Sequence, residues 1–304
     1  MNKYFLIQKN MIIMLVALVP LIVFSIFLFG WRVLVLLLIT TLTAVVTEFL
    51  FIRKKPGGKI SMAALVTGFL LALSSPPTLP FWMAAVAAIV AITFGKMVFG
   101  GFGLNVFNPA MLGRTFIYVS FARAMTVSWL QPFTAWPGGF TTWMKVEHLT
   151  AATPMIVFRD SRIIEKTSDL FFGFIAGSAG ETSTFLILLS GLFLLITKTA
   201  RWQAMFSTLI SFLFFGILFY GMNPLPLLLS GGLMFGVVFI TTDPVSMPKK
   251  PSAIWIYGIL IGFLTVFIRK YSLFVEGFMF AVIITNSFMP IIEYSLNKLH
   301  RKGA

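Results

Sequence analysis

The chain has 304 residues, of which 59% are hydrophobic and 11% are charged, whereas ordinary soluble domains have about 25% charged residues. This composition, with a mean hydropathy of +0.98, excludes a soluble enzyme, a disordered protein and a secreted disulfide scaffold. It predicts an all-α, polytopic integral membrane protein embedded in a lipid bilayer. Because one spanning helix needs about 20 apolar residues, this length allows roughly ten transmembrane helices.

The predicted helices follow one another as ten apolar runs. They cover residues 11–30, 33–52, 60–74, 81–99, 106–121, 182–197, 204–220, 226–240, 253–268 and 273–290. Several runs are too short for an upright span. Proline and glycine at their ends, as in Ser74–Pro77 and Gly221–Pro224, predict broken or re-entrant helices, whose non-helical backbone must be buried in protein or line a cavity.

The basic residues predict the orientation of these runs. With the N-terminus in the cytoplasm, 15 Lys and Arg residues fall in or near inside loops and 8 fall outside. Lys and Arg accumulate on the cytoplasmic side of membrane proteins, so both termini are expected there. The net charge of +14 then reflects topology, and nucleic acid is not expected as a partner. This count places Lys96 and Arg114 inside and Arg269 outside.

One long segment divides the chain. We expect a first transmembrane half over residues 1–121, an extracytoplasmic segment over 122–181 and a second transmembrane half over 182–304. Five runs in each half give the halves opposite orientations, which is the layout of an inverted repeat with sites near the repeat interface. The similar stretches Val106–Ala110 and Val238–Val245 support this repeat. The alternative is that two X-Pro turns resemble each other by chance.

The residue inventory limits the cofactors. Cysteine is absent, and His148 and His300 are the two histidines, so a disulfide, an iron–sulfur cluster, a zinc site or a bis-histidine haem is not expected. Any redox cofactor would therefore be organic. The sequence also lacks a nucleotide-binding glycine loop and a Ser-His-Asp set. Electrons would have to come from other subunits.

Four motifs carry the functional signal. In chain order they are Phe107–Arg114 (FNPAMLGR), Thr150–Thr153 (TAAT), Gly177–Ser183 (GSAGETS) and Thr241–Ser246 (TTDPVS). Together they resemble the membrane-subunit family shared by the Rnf electron-transport complex (RnfD) and the sodium-pumping NADH:quinone reductase (NqrB). The resemblance covers nearly the whole chain, and the length is more similar to RnfD. It implies the membrane flavoprotein subunit of an ion-translocating oxidoreductase, not catalytic alone, in a bacterial-type cytoplasmic (inner) membrane.

The resemblance implies FMN esterified through its phosphate to Thr153. Thr150 and Ala152 belong to the same motif, and Asn108 and Arg114 belong to the first motif, so these five residues are the candidate cofactor-binding residues. Small neighbours would let a flavin transferase reach the Thr153 hydroxyl. The family also implies a noncovalent riboflavin, whose contacts the sequence does not place. The implied partners are the other membrane and peripheral subunits of the complex, including a flavin-bearing extracytoplasmic subunit and iron–sulfur subunits.

Cations and aromatic residues near Thr153 are further candidates for holding this cofactor, although the sequence favours a solvated loop charge for each cation and an interfacial belt position for each aromatic residue. They are Arg123, Lys145, Arg159 and Arg162 for the phosphate, and Trp129, Trp136, Phe140 and Trp143 for the flavin ring.

Four of the nine acidic residues fall within or beside apolar runs, namely Glu48, Glu181, Asp243 and Glu276. Charge at membrane depth is costly, so these residues are the candidates for an ion path. For three of them a simpler role stays open. Glu181 could cap a helix, Asp243 could be a turn residue and Glu48 could face the basic loop at Arg53. Glu276 falls in the last predicted helix, without an assigned partner.

A flavin-free inverted-repeat permease or channel is the main alternative. It predicts no covalent flavin, substrate flux alone and no partner subunits. A purely structural assembly subunit is a third possibility, which predicts that Thr153→Ala leaves electron transfer intact. The Thr153 motif favours the flavoprotein, because a small-solute permease has no use for a transferase recognition motif. The choice between Na⁺ and H⁺, and the electron donor and acceptor, stay open.

Overall fold

The computed structural model describes residues 5–55, 57–144, 149–150, 152–272 and 274–302. Within these ranges the fold is helical, with two short two-stranded ladders. The helices are α1 (Lys9–Phe29), α2 (Arg32–Ile52), α3 (Met62–Leu73), α4 (Phe81–Ile92), α5 (Pro109–Ser120), α6 (Ala122–Thr126), α7 (Pro154–Ser161), α8 (Thr167–Phe172), α9 (Thr184–Ile196), α10 (Trp202–Tyr220), α11 (Leu225–Leu229), α12 (Leu233–Phe235), α13 (Pro251–Tyr271) and α14 (Phe278–Lys302).

Five helices are long and apolar enough to cross a membrane, namely α1, α2, α10, α13 and most of α14. At a rise of 1.5 Å per residue, about 20 residues span the 30 Å of the hydrocarbon layer. Three shorter apolar helices cover Met62–Leu73, Phe81–Met97 and Thr184–Ile196. The prediction of an all-α, polytopic membrane protein is confirmed.

The broken helices occur where proline and glycine predict them. Helix α3 ends at Leu73, directly before the Ser74–Pro77 turn, and α10 ends at Gly221, whose φ is 66°. The run at 226–240 is divided into α11, a bend around Gly231, α12 and a π-helical turn at Gly236–Ile240. A second π-helical turn, Thr93–Met97, extends α4. Such turns widen the helix and are frequent at functional sites.

The bundle has two ends. At the terminal end, Phe5–Leu6 pairs in parallel with Ile60–Ser61, and Lys249 N donates to Glu293 near the end of α14. Both described chain ends therefore lie at this end. At the opposite, long-loop end, the described residues between 122 and 183 cover the helix connections. There Phe133 N bonds to Leu28 O (3.0 Å), and Ala179 N bonds to Ser75 O (3.0 Å).

Helices α1 and α9 run in opposite directions. Helix α1 starts at the terminal end, whereas α9 starts at the long-loop end, just after Gly180 N bonds to Leu73 O (2.7 Å). The halves meet where Ser190 Oγ of α9 donates to Ala17 O of α1 (2.8 Å). In the second half, Gly258 and Gly262 bring α13 against the backbone of α10. Small residues allow such close contact between membrane helices.

Candidate functional site

Thr153 lies at a strand–helix corner. Thr150 pairs with Trp129 in an antiparallel ladder, and Thr153 is the N-cap residue of α7. The Thr153 Oγ1 atom accepts a hydrogen bond from Ile156 N at 3.4 Å, which is long for an N–H···O bond. Ala152 beside it is half-buried. Ala151 and residues 145–148, including the candidate Lys145, lie outside the described residues.

Thr153 lies on the wall of a pocket of about 530 Å³, open mouth included. Buried Trp129 and the ring of Tyr118 form part of the wall, and Gly177 and Gly231 contribute backbone. The pocket therefore combines an aromatic surface with a hydroxyl at a helix N-terminus.

Acidic residues line the same pocket and surround Arg114. The Arg114 side chain is 2% exposed. Its Nη1 and Nη2 atoms donate to the two carboxylate oxygens of Glu181, at 3.0 and 3.2 Å, and Nη2 also donates to Ser178 Oγ at 3.3 Å. A second carboxylate, Glu276, places Oε2 at 2.5 Å from the same Nη2 atom. One guanidinium therefore faces two carboxylates.

Two polar atoms of this cluster lack hydrogen-bond partners among the described residues. The Glu276 Oε2 contact is an ion pair without hydrogen-bond geometry, so this buried oxygen lacks a donor, and Arg114 Nε lacks an acceptor. Glu181 lies in the connection before α9, outside the spanning helices. Burial raises the pKa of Glu181, because desolvation and the nearby Glu276 carboxylate together outweigh the lowering effect of Arg114.

Two expectations for these acids are corrected. Glu276 is not in the last helix: α14 begins at Phe278, and Gly277 before it has a φ of 60°. Its partner is Arg114. Glu181 does not cap α9 through its side chain, because Ser183 is the N-cap residue and accepts from Leu186 N. Arg114, which the charge count assigned to an inside loop, is buried and paired at the long-loop end.

Arg269 was missed as a site residue because it was counted as a loop charge. It is 5% exposed, and its guanidinium donates to three main-chain carbonyls, those of Leu227 (2.7 Å), Ser230 (3.1 Å) and Glu276 (3.2 Å). It thereby fixes the break after α11 and the connection before α14. The helical spacing was the available signal, because Arg269 follows buried Thr265 by one turn.

A second pocket, of about 480 Å³ with its open mouth, lies at the terminal end. Asn108 Nδ2 donates to Asp243 Oδ2 at 3.2 Å, so the first and fourth motifs meet although 135 residues separate them. Asp243 also accepts from Ser246 Oγ (2.7 Å) and from Val245 N (3.2 Å). Asp243 is therefore a turn residue that also lines the second pocket. Asn105 and Lys96 line the same pocket.

Glu48 lies beside the second pocket. Its Oε2 atom contacts Lys96 Nζ at 2.9 Å, and both groups are almost fully buried. Ser61 Oγ completes the cluster, at 2.5 Å from Lys96 Nζ and 3.3 Å from Glu48 Oε2. The alternative that Glu48 merely faces the basic loop at Arg53 is therefore wrong, as is the assignment of Lys96 to a solvated loop.

The predicted site residues therefore separate into two groups. Arg114, Glu181 and Glu276 gather beside Thr153, whereas Asn108 and Asp243 form the second pocket. Among the aromatic candidates, Trp129 lines the first pocket. The others pack around the end of α1, where Trp136 contacts Phe140 and Trp143 contacts Phe81. Of the candidate phosphate partners, Arg159 pairs with Asp160 and Arg162 lies over Phe158.

Comparison with known proteins agrees with the resemblance drawn from the four motifs. The sequence model of the family described as NQR2, RnfD, RnfE matches residues 2–301. Similar proteins include three that are named as subunits of an ion-translocating oxidoreductase complex. The one from Erwinia tasmaniensis is 33% identical over 97% of this chain and 95% of its own length. The one from Stutzerimonas stutzeri is 33% identical over 94% and 90%, and the one from Escherichia coli strain SE11 is 32% identical over 97% and 95%.

Proposed function

The chain belongs to the NQR2, RnfD, RnfE family, and we propose that it is the membrane flavin subunit of an Rnf-type ion-translocating oxidoreductase complex. It carries FMN on Thr153 and couples electron transfer to the movement of Na⁺ or H⁺. It works with other subunits, because the sequence has neither a cysteine for an iron–sulfur cluster nor a dinucleotide-binding motif. Those subunits include a flavin-bearing extracytoplasmic subunit and iron–sulfur subunits.

The position of Thr153 carries this proposal. Its hydroxyl is half-buried on a pocket wall and makes one long hydrogen bond among the described contacts. A phosphodiester there would leave one negative charge at the N-terminus of α7, where backbone N–H groups and the helix dipole stabilise anions. The ester would replace the capping bond to Ile156 N. The residues therefore fit a flavin attached through its phosphate.

The other walls suit the rest of such a cofactor. FMN would supply reversible acceptance of electrons in the membrane domain. Trp129 and Tyr118 offer ring faces against which a flavin ring can pack. Glu276 Oε2, which lacks a hydrogen-bond donor, can accept from an N–H or hydroxyl group of the ligand. The apolar lining, including Met125 and Val275, limits access of water.

The second pocket is our proposed place for the noncovalent riboflavin. The side chains of Asn105, Asn108 and Asp243 offer amide and carboxylate groups to a polar, uncharged ligand, and Phe102 and Phe239 add aromatic surface. The two pockets lie at opposite ends of the bundle. With the terminal end in the cytoplasm of a bacterial-type cell, Thr153 faces outward, where the flavin transferase and the extracytoplasmic subunit would meet it.

The ion path is proposed to use the buried acids of both ends. Glu181 and Glu276 border the first pocket, Asp243 lines the second, and Glu48 lies beside it, paired with Lys96. Ionised groups at this depth are retained where an ion or proton moves.

Gel fluorescence of the denatured polypeptide tests the covalent flavin, followed by mass analysis of the peptide that contains Thr153. The complex must be produced in a host that has the flavin transferase. We expect a fluorescent band and an FMN-sized adduct on Thr153, both lost in Thr153→Ala while the protein still folds. The control is Thr167→Ala, which removes an exposed hydroxyl from the same segment and should keep the flavin. A dark wild-type band with unmodified Thr153 would refute the proposal and favour the permease.

A further inference from the structure

The Arg114 cluster has an arrangement that an ordinary salt bridge does not explain. Oxygens of Glu181 and Glu276 lie 3.2 and 2.5 Å from one nitrogen, Arg114 Nη2. The two carboxylates are therefore within about 6 Å of each other, the range in which like charges shift each other's ionisation. Their side chains are 4% and 15% exposed. A buried and a half-buried carboxylate thus contact the same cation.

Among the described ion pairs, Arg114 of α5 is the cation in contact with both carboxylates. Tyr118 lies one turn further along the same helix. Arg269 of α13 acts on both carboxylates through space, but the described hydrogen bonds of its guanidinium go to main-chain carbonyls of Leu227, Ser230 and Glu276. On α7, Arg159 pairs with Asp160 at 2.8 Å. Sharing a proton relieves the repulsion between two such carboxylates.

We propose that Glu181 and Glu276 form an acid pair that binds one proton beside the Thr153 pocket. The fraction of molecules that hold this proton rises when the pocket gains negative charge. The inference rests on the proposed function and specifies the ion bound at this place. Proton uptake converts one carboxylate and one hydronium ion into a carboxylic acid and water. An electron arriving in the pocket favours this uptake, and its departure favours release of the proton to water at the pocket mouth.

The contacts favour a proton over Na⁺. A hard metal cation needs several oxygen ligands, whereas the groups nearest to Glu276 Oε2 are the donor N–H groups of Arg114. A metal ion there would face the guanidinium charge at close range. A proton needs only one oxygen, and Glu276 Oε2 accepts no hydrogen bond from the adjacent guanidinium, because their contact lacks hydrogen-bond geometry. The protonated acid could then donate to a pocket ligand.

Infrared difference spectroscopy of the whole complex tests the acid pair in two ways. Acidification through neutral pH should produce the C=O band of a protonated carboxylic acid. This band should be lost in Glu276→Gln and retained in Glu165→Gln, which removes an exposed carboxylate at the same end. In wild type, reduction at constant pH should produce the same band. Thr153→Ala should lose the reduction signal and keep the acidification signal.

The outcomes separate this inference from the proposed function. Without covalent flavin in wild type, the proposed function fails, but the acidification band still reports the pair. A band unchanged in Glu276→Gln, or one that responds to Na⁺ at constant pH, overturns the acid pair. Ser178→Ala is a milder second variant, because the Ser178 hydroxyl stabilises ionised Glu181. It should move the band's midpoint to higher pH, and an unchanged midpoint would contradict the pair.

Discussion

Replacing Arg114 by methionine removes the charge that holds the acid pair while keeping most of the side-chain volume. The variant loses two hydrogen bonds to Glu181, one to Ser178 and the ion pair with Glu276. Removing one partner of a buried ion pair costs about 3–5 kcal/mol, because the remaining charge stays buried without compensation. Since two carboxylates remain here, we expect Arg114→Met to lower the free energy of unfolding by about 4 kcal/mol at neutral pH.

Arg114→Met should lower the free energy of unfolding by a smaller amount when residue 181 is already neutral. In a Glu181→Gln background one of the two charges is absent, and the bidentate contact no longer has an anion. We expect Arg114→Met to cost about 2 kcal/mol less there, which is an interaction energy in the range found for directly paired residues. Arg114→Lys is the matched control, because it keeps the charge but loses the bidentate geometry, at a cost of about 1.5–3 kcal/mol.

The destabilisation caused by Arg114→Met should depend on pH with a defined sign. Burial raises the pKa of Glu181, and without Arg114 the opposing effect of the guanidinium is lost, so the folded state binds more protons at this residue. The destabilisation is then absent below the unfolded pKa of Glu181 and grows as the pH rises toward its folded pKa. Unfolding by SDS titration in mixed micelles, at about pH 5 and about pH 8, measures this difference. An equal cost at both pH values and in both backgrounds would refute the charge argument and leave packing as the contribution of Arg114.

Two further substitutions test other parts of the structure. Asp243→Asn retains a side chain that can bond to Asn108 and Ser246 but removes the Asp243 charge from the second pocket. Since one charge-assisted contact contributes about 1.5 kcal/mol, the ion dependence of transport should weaken about tenfold while the complex still assembles. Unchanged ion dependence would remove Asp243 from the proposed ion path. Gly262→Val places a side chain against Thr208 O and Phe212 N of α10, so it should destabilise the second half by about 1–3 kcal/mol. The control Ile259→Val changes an exposed residue of α13 and should not destabilise it. Equal midpoints of SDS unfolding for the two variants would contradict close packing of α10 against α13.

Periodicity and turn residues predicted the fold because they are local signals. The break at Gly231 and the end of α3 before Pro76 follow from the backbone preferences of glycine and proline. The locations of the basic residues were harder to predict. The charge count treated Lys96 and Arg269 as loop residues, but both are buried within helical segments. A count by position along the chain carries no information on which face of a helix a residue occupies.

The partners of the buried acids could not be predicted for a related reason. Glu48 was compared with Arg53, five residues away, but its partner Lys96 is 48 residues away. Glu276 was left without a partner, and the ion pair with Arg114 depends on how the two halves pack. Sequence composition indicates that a buried charge needs compensation, but the choice among 23 basic residues is made by tertiary structure.

The acidic residues at the two ends of the bundle have different partners, and the coupling of ions and electrons that we propose would depend on this difference. Asp243 is held by neutral donors, namely Asn108, Ser246 and the backbone N–H of Val245. In the same pocket, Lys96 is engaged by Glu48 and Ser61. Among the described contacts Asp243 therefore has no direct ion pair, although the Lys96 charge acts on it through space.

Glu181, by contrast, is fixed by a bidentate contact to Arg114, and a cation approaching it meets the guanidinium charge. We propose that the terminal end exchanges ions with solvent and that the long-loop end retains a proton beside the proposed cofactor. Coupling requires two states that differ in ion affinity. In the proposed mechanism the charge of the Thr153 pocket would change the affinity at one end, and the other end would respond through the packing between α1 and α9.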